Sequence, residues 1–535
     1  MYVELTRTRL RALGRLAMLA LLLTGCAADA SAANAKGAAA QVGGVPLTIA
    51  FNAQAPGPAV PARFLGLSFE AAALTQLGGY AERGDLVTLL RSLGPGVLRF
   101  GGITSDENVA WSEGGAPPPW ASSTIGPAQL RAIGRLARRS GWRVLLTVGL
   151  AHYEPQAAAA EVAAARRALG PYLQAVEIGN EPEAYANHGF RSPPWLPQEY
   201  EEEVSDYREV IAARSPGVPI AGPDSTGSGS FMEWGYAEGL AQAPVLLTGH
   251  HYPLGCSQSP SIEALLSPAM RGREQKSLET YMAVSRLTGI PLRIDEAGTV
   301  SCGGVPGISN TFASALWASG YITQAMADGA AGINLEGNPN NCGGYTPVCA
   351  VSPAAAAAGR LTAEPSFYAL LMARSLVGYR PLPTTLTGQG EPNVQALALL
   401  GPRRTVKLLV CDYEPSGSPL LDLSVGVGSG PRRAQVLSLA GPGQQATAGV
   451  TLGERRVPAS GSWPEPRRLP AASVRGGYVS LSMAPSTAVL VTVTPAAPKR
   501  RALTDRAGAR ADARQPALGA VMRMTFQPAF RGARK

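Results

Sequence analysis

Val176-Glu177-Ile178-Gly179-Asn180-Glu181-Pro182-Glu183 is the stretch from which the chain can be read outward. A short β-prone run leads into a glycine, an amide, a carboxylate and a proline. The proline has no N–H to donate and a fixed φ, so no strand continues through it. Glu181 is therefore expected at the C-terminal end of a strand. In a barrel of alternating strands and helices, that end is the face on which active sites are built. A single carboxylate there does little chemistry, so a partner and a scaffold are needed.

The partner lies in Pro291-Leu292-Arg293-Ile294-Asp295-Glu296-Ala297-Gly298, where a second acid ends a second apolar run. Eight such runs can be counted: 64–69, 97–100, 144–148, 175–178, 220–221, 245–248, 292–294 and 331–335. Between them, residues 85–92, 127–140, 157–169, 197–215, 274–288 and 310–328 place apolar side chains at helical spacing. Strands alternating with helices imply a parallel sheet. Eight of them predict an α/β fold, a (β/α)8 barrel over 59–378, closed by a helix at 366–376. Glu181 then ends strand four and Glu296 strand seven, and their side chains converge over the barrel mouth. Past residue 380 the texture changes to alternating runs at 394–400, 405–409, 420–427, 434–438, 478–481 and 488–493, separated by Gly, Pro and Ser. This predicts a β-sandwich over 380–495, completed by an early strand within 46–58.

The net charge of +9 sits at the ends. Residues 1–25 carry +3 and residues 499–535 carry +8, which leaves the body at −2. That distribution argues against a nucleic-acid-binding surface. The first segment reads as an export signal, with arginines followed by an apolar run too short to span a bilayer. Leu23-Thr24-Gly25-Cys26 resembles a lipobox, which would make Cys26 a lipidated first residue after a 1–25 signal and before a 26–45 tether. Cleavage in the Ala-rich stretch beyond it is the other reading. The expected location is thus periplasmic or cell-surface through a lipid anchor, or secreted. Residues 496–535 read as a basic, disordered tail. Export permits disulfides. Cys342 with Cys349 and Cys256 with Cys302 are the candidate pairs, leaving Cys411 in an apolar run. Four histidines without ligand spacing and no C-x-x-C give no zinc motif.

Several stretches, taken together and in order, resemble glycoside hydrolase family 79, the β-glucuronidases and heparanase relatives. They are Phe64-Leu65-Gly66-Leu67-Ser68-Phe69-Glu70, Leu98-Arg99-Phe100-Gly101-Gly102, Glu177 to Pro182, His250-His251-Tyr252, and Cys302-Gly303-Gly304. The resemblance covers about residues 47–495. It implies a retaining mechanism with Glu181 as acid/base and Glu296 as nucleophile, with no cofactor and no metal. It further implies that Asn180 bonds the sugar 2-OH, Tyr252 orients the nucleophile and Glu70 holds sugar hydroxyls. The family grips the uronate carboxylate with a Gly-Gly pair and a tyrosine, which match Gly303, Gly304 and Tyr345. Asp106 is a further candidate for a sugar hydroxyl, and Trp120 and Trp195 either stack on sugar or pack. The expected partner is a carbohydrate with terminal glucuronic acid or its 4-O-methyl form. Lys276 is the only lysine between Lys36 and Lys407, which favours a pocket for exo action over a basic cleft for sulfated polymers. A barrel glycosidase of other specificity, a heparanase-like endo-enzyme and a non-catalytic glycan-binding lipoprotein are the alternatives.

Overall fold

The structure is a computed structural model in which residues 44–496 are described. The export signal, Cys26, most of the tether and the basic tail lie outside the described residues. Eight parallel strands form a barrel: β1 (Leu65–Glu70), β2 (Val97–Gly101), β3 (Arg143–Val148), β4 (Leu173–Ile178), β5 (Ala221–Ser225), β6 (Leu246–His251), β7 (Leu292–Ala297) and β8 (Gly332–Gly337). They pair in sequence order from β1 to β4 and from β5 to β8, with β8 joined to β1. The ring closes where Val176 N donates to Pro219 O at 2.9 Å.

The barrel interior changes character with height. Val97, Leu145, Ala175, Ala221 and Leu246 form an apolar plug. In the barrel interior Arg293 donates from Nε to Asn334 Oδ1 at 2.6 Å. Glycine is required around this pair. A Cβ on Gly66 would sit 2.4 Å from Asn334 Oδ1, and one on Gly332 would sit 2.0 Å from Arg293 Nη1. Toward the C-terminal ends of the strands the interior is filled by charge, as described below.

The connecting helices largely follow the apolar spacing, with two departures. The helix expected from Glu274 runs Pro268–Thr288 instead. Ser267 caps it by accepting from Met270 N at 3.1 Å, and Pro268 occupies its first turn, a start signal stronger than the apolar pattern. A helix Trp234–Ala241, broken in pattern by two glycines, fills the gap between β5 and β6.

After the barrel, one hydrogen-bonded path of strands folds into a sandwich whose core includes Leu47, Ile49, Leu408, Val410, Leu423, Val425 and Val491. The strand Val45–Phe51 lies between Thr384–Gly388, antiparallel, and Leu421–Gly426, parallel. Strand Val406–Asp412 is buried on both faces. Leu408 and Val410 face the sandwich core, while Leu409 and Cys411 join the barrel core with helix Phe312–Asp328. The sheet therefore reads as continuously apolar there because it has two partners. Strands Arg380–Leu382, Thr384–Gly388 and Ala471–Arg475 escaped the pattern, the last two being short and mostly solvent-facing.

Candidate active site

Arg99, at the centre of β2, is fully buried and organises the barrel mouth. Its Nε donates to Glu177 Oε2 at 3.2 Å, with Asp295 Oδ2 at 3.0 Å beside that bond. Nη1 reaches Ser68 Oγ at 3.1 Å and Glu296 Oε2 at 2.7 Å. Nη2 reaches Asn180 Oδ1 at 2.8 Å and Asp224 Oδ2 at 2.6 Å. One planar fork on strand two thus fixes groups from strands one, four, five and seven, a task lysine's single ammonium cannot perform.

Two strand irregularities make this possible. The pairing of β7 with β6 shifts register between Ile294 and Glu296, and that of β5 with β6 shifts between Pro223 and Ser225. A bulge breaks the strict alternation of faces. Asp295 and Glu296, adjacent in sequence, therefore both reach Arg99. At the second bulge Asp224 takes a left-handed φ of 65°. Glu181 is also left-handed, with φ 51°, and its N–H donates to Asp224 O at 2.9 Å. Left-handed backbone at non-glycine residues is uncommon and gathers at functional sites.

The two expected catalytic carboxylates meet. An oxygen of Glu181, one of Glu296 and a ring nitrogen of His250 all lie within 4.8 Å of one another. Glu296 accepts from Tyr252 Oη at 2.6 Å as well as from Arg99. Burial would push its carboxyl up, but the charges of His250 and Arg99 and the Tyr252 bond outweigh it, so Glu296 is held below the usual carboxylate range. His250 bridges Glu181 and Asp224, each at 2.8 Å. Burial opposes its protonation, yet Glu296 and Asp224 raise it well above the ordinary imidazole value. Both ring nitrogens then donate. His250 thereby ties Glu181 and Asp224 into one hydrogen-bonded network.

The other candidates separate into two groups. Asn180 is buried, and with its Oδ1 taken by Arg99 its amide nitrogen is the group left to offer. Glu70 accepts from Thr104 N at 3.0 Å and Thr104 Oγ1 at 2.6 Å, both on Oε2, leaving Oε1 uncommitted. Gly303 and Gly304 have φ of 86° and 87° and follow left-handed Cys302. Cys302 is bonded to Cys256, and Cys342 to Cys349, so both loops beside β7 and β8 are stapled. A Cβ on Gly304 would meet Tyr345 N at 2.7 Å, and the Tyr345 ring lies 5.5 Å from that of Tyr252. The Gly-Gly turn, Tyr345, Tyr252 and Glu296 are thus contiguous.

Asp106 does not belong with them. It is 1% exposed. Oδ1 accepts from Leu150 N and Ala151 N at 2.7 and 3.0 Å, and Oδ2 from Asn180 N and Tyr185 Oη at 2.9 and 2.7 Å. With four donors satisfied it has no capacity for a sugar hydroxyl; it ties the loops after β2, β3 and β4 together. Trp195 packs between Tyr185 and Trp234 and donates to Pro182 O at 2.8 Å, while Trp120 stacks on His152 at 3.8 Å. Asp224, Asp295 and His250 join this network although the spacing did not single them out. Glu183, two residues past Glu181, fastens the β4 loop to the β5 loop by accepting from Thr226 N at 2.7 Å and from Ser225 and Ser230.

Neither a family model nor a curated protein matches this sequence. Solved structures do. A 4-O-α-L-rhamnosyl-β-D-glucuronidase from Fusarium oxysporum 12S, in complex with Rha-GlcA, aligns with a TM-score of 0.68 at 19% identity over 83% of this chain and 100% of its own. A family 51 arabinofuranosidase from Xanthomonas axonopodis pv. citri aligns at 0.60 and 14% identity, over 84% and 100%. The catalytic domain of a family 30 xylanase C from Talaromyces cellulolyticus aligns at 0.52 and 12%, over 84% and 100%. The chain shares with these glycoside hydrolases a (β/α)8 barrel accompanied by a β-rich domain.

Proposed function

We propose that this protein is a retaining exo-β-glucuronidase that releases terminal β-linked glucuronic acid, or its 4-O-methyl ether, from polysaccharides or glycoconjugates. One observation carries the reaction class: Glu181 and Glu296 present oxygens within 4.8 Å of each other. Carboxyl groups about 5–5.5 Å apart suit double displacement, whereas inversion needs about 6.5–9.5 Å for an intervening water. Glu296, ionised and held by Arg99 and Tyr252, attacks the anomeric carbon. The bond to the leaving oxygen breaks as Glu181 delivers its proton there, and a glycosyl ester forms on Glu296. Glu181, now a carboxylate, takes a proton from water, which attacks the same carbon and frees Glu296. Asn180 Nδ2, left free by the Arg99 bond to Oδ1, donates to the sugar 2-OH in this reading.

The uronate assignment rests on Gly303, Gly304 and Tyr345, whose amides and hydroxyl suit an anion, and on the family 79 resemblance. The acidic groups at the barrel mouth favour a second reading, a retaining glycosidase for a neutral sugar, because the uncommitted Oε1 of Glu70 suits a hydroxyl. Purified protein given p-nitrophenyl β-glucuronide, β-glucoside and α-arabinofuranoside decides between them. Glucuronide turnover at least tenfold above the others is expected; equal rates remove the uronate assignment. Export through the 1–25 signal, with Cys26 as lipid anchor, completes the proposal, and labelling with a fatty-acid analogue tests it through Cys26→Ser.

A further inference from the structure

The end of β8 carries a carboxyl group that the mechanism above does not use. Alternate residues of β8 enter the barrel. Asn334 bonds Arg293 and the carbonyls of Leu67 and Val97, so Glu336, two residues on, points inward one layer nearer the mouth. The strand register sets it beside Ser68 of β1. Ser68 Oγ accepts from Arg99 Nη1 at 3.1 Å, so Glu336 stands across the register from a group that Arg99 holds. Glu336 is 4% exposed, and its Oε2 has no hydrogen-bond partner among the described residues.

Ser68 Oγ and Glu296 Oε2 share Arg99 Nη1, Tyr252 bonds Glu296, and Glu70 follows Ser68 by two residues on the same face of β1, so the carboxyl groups of Glu70, Glu296 and Glu336 gather where β1 and β8 end; with Arg99, Tyr252 and Tyr345 they are the titratable and charged groups whose fields reach Glu336. The cations are committed elsewhere. Arg99 bonds Glu177, Asp224 and Glu296, and His250 bonds Asp224 and Glu181; neither bonds Glu336 or Glu70. Carboxylates packed this closely do not all ionise. Glu296 is paired and ionised. Burial, then the charges of Glu296 and Glu70, hold the Glu336 carboxyl well above its ordinary value.

We infer that Glu336 stands beneath the pocket as a neutral carboxylic acid, and that this lost charge is what lets an acid-lined site accept a carboxylate-bearing sugar. The inference rests on the glucuronidase reading. A uronate entering beside Gly303, Gly304 and Tyr345 adds a negative charge to the same space. Once Glu336 ionises, uronide binding must carry a proton back to it, whereas a neutral sugar owes no such proton. Glu336 acts through charge, as a specificity residue, and leaves the bond-breaking step to Glu181 and Glu296.

The test is the pH dependence of KM, kept apart from kcat, for p-nitrophenyl β-glucuronide and for a neutral aryl β-glycoside. In the wild type the glucuronide KM is level at acid pH and then rises about tenfold per pH unit, the signature of one linked proton. The neutral KM shows no such rise. Glu336→Gln, checked for folding by its melting curve, has a glucuronide KM that stays level across the range. Calorimetric titration of the wild type with glucuronate, in buffers of different ionisation enthalpy, provides an independent readout: binding takes up about one proton above the transition and none below it. Parallel KM profiles in the wild type and Glu336→Gln, or no proton uptake, overturn the inference while glucuronide turnover leaves the function standing. Turnover of neutral glycosides alone overturns both.

Discussion

Arg99 meets acceptors from four other strands, and Glu296 depends on it for both position and charge. Tyr252→Phe removes one of the groups holding Glu296 below the usual carboxylate range. The acid limb of kcat/KM is therefore expected to move to higher pH, since a nucleophile with a higher pKa ionises later, and kcat to fall. An unmoved limb would mean that the Tyr252 bond contributes nothing to the ionisation of Glu296. Glu296→Ala should abolish turnover. Glu181→Ala should regain activity with azide on substrates with good leaving groups, because the ester on Glu296 still forms and a small anion can replace the base-assisted water. Identical behaviour of the two variants would show the roles misassigned. Glu181 and Glu296 were legible because each closes an apolar run before a proline or glycine. Asp224 and Glu336 were not, because the expected fifth and eighth runs stopped at residues 221 and 335, short of both. Asp295 was hidden for a different reason: strict alternation sends it and Glu296 to opposite faces, and only the bulge brings both inward.

The loops are the next scale. Cys256–Cys302 joins the turn after β6 to the turn after β7, with a bridge between Leu254 and Val300 beneath it. Cys256→Ser with Cys302→Ser should lower stability by about 3–4 kcal/mol on the loop-closure model. It should raise the glucuronide KM more than the kcat, because the freed turn carries Gly303 and Gly304. Equal effects on a neutral glycoside would detach that turn from uronate recognition. Asp106 acts between elements rather than on substrate. Asp106→Ala leaves four donors from two loops unpaired, and a loss of about 3–5 kcal/mol in denaturant unfolding is expected. An unchanged midpoint would remove Asp106 from this role. The sequence offered Asp106 as a contact to a sugar hydroxyl; its actual partners are Tyr185 and backbone N–H groups, whose direction no spacing records. The helices were read well where apolar spacing was long, as at Pro127–Ser140, and poorly at Trp234–Ala241, where eight residues carry too few periods.

At the scale of the whole molecule, buried acids set the response to pH. Burial alone pushes Glu161 up to about 8. Burial likewise carries Glu364 to about 7 and Asp412 to about 7. A carboxyl raised on folding costs nothing below its unfolded value and costs progressively more as pH rises toward its folded value. Glu296 runs the other way: its contribution is present above the unfolded value and is lost as pH falls. Stability should therefore peak on the acid side of neutrality. Glu161→Gln should raise the melting temperature at pH 8 but not at pH 4, with about 3 kcal/mol as the upper scale at pH 7; equal shifts at both would mean that Glu161 is not the titrating group. The strand Val45–Phe51 has a different consequence, in the making of the protein. It pairs with Thr384–Gly388 and Leu421–Gly426, so the first described strand has no strand partner until the whole barrel has been synthesised. All eight barrel strands leave the ribosome while it waits. A product that stops early bears an unpaired strand at its start and bare barrel helices at its end, two flags by which quality control can distinguish it from the finished enzyme.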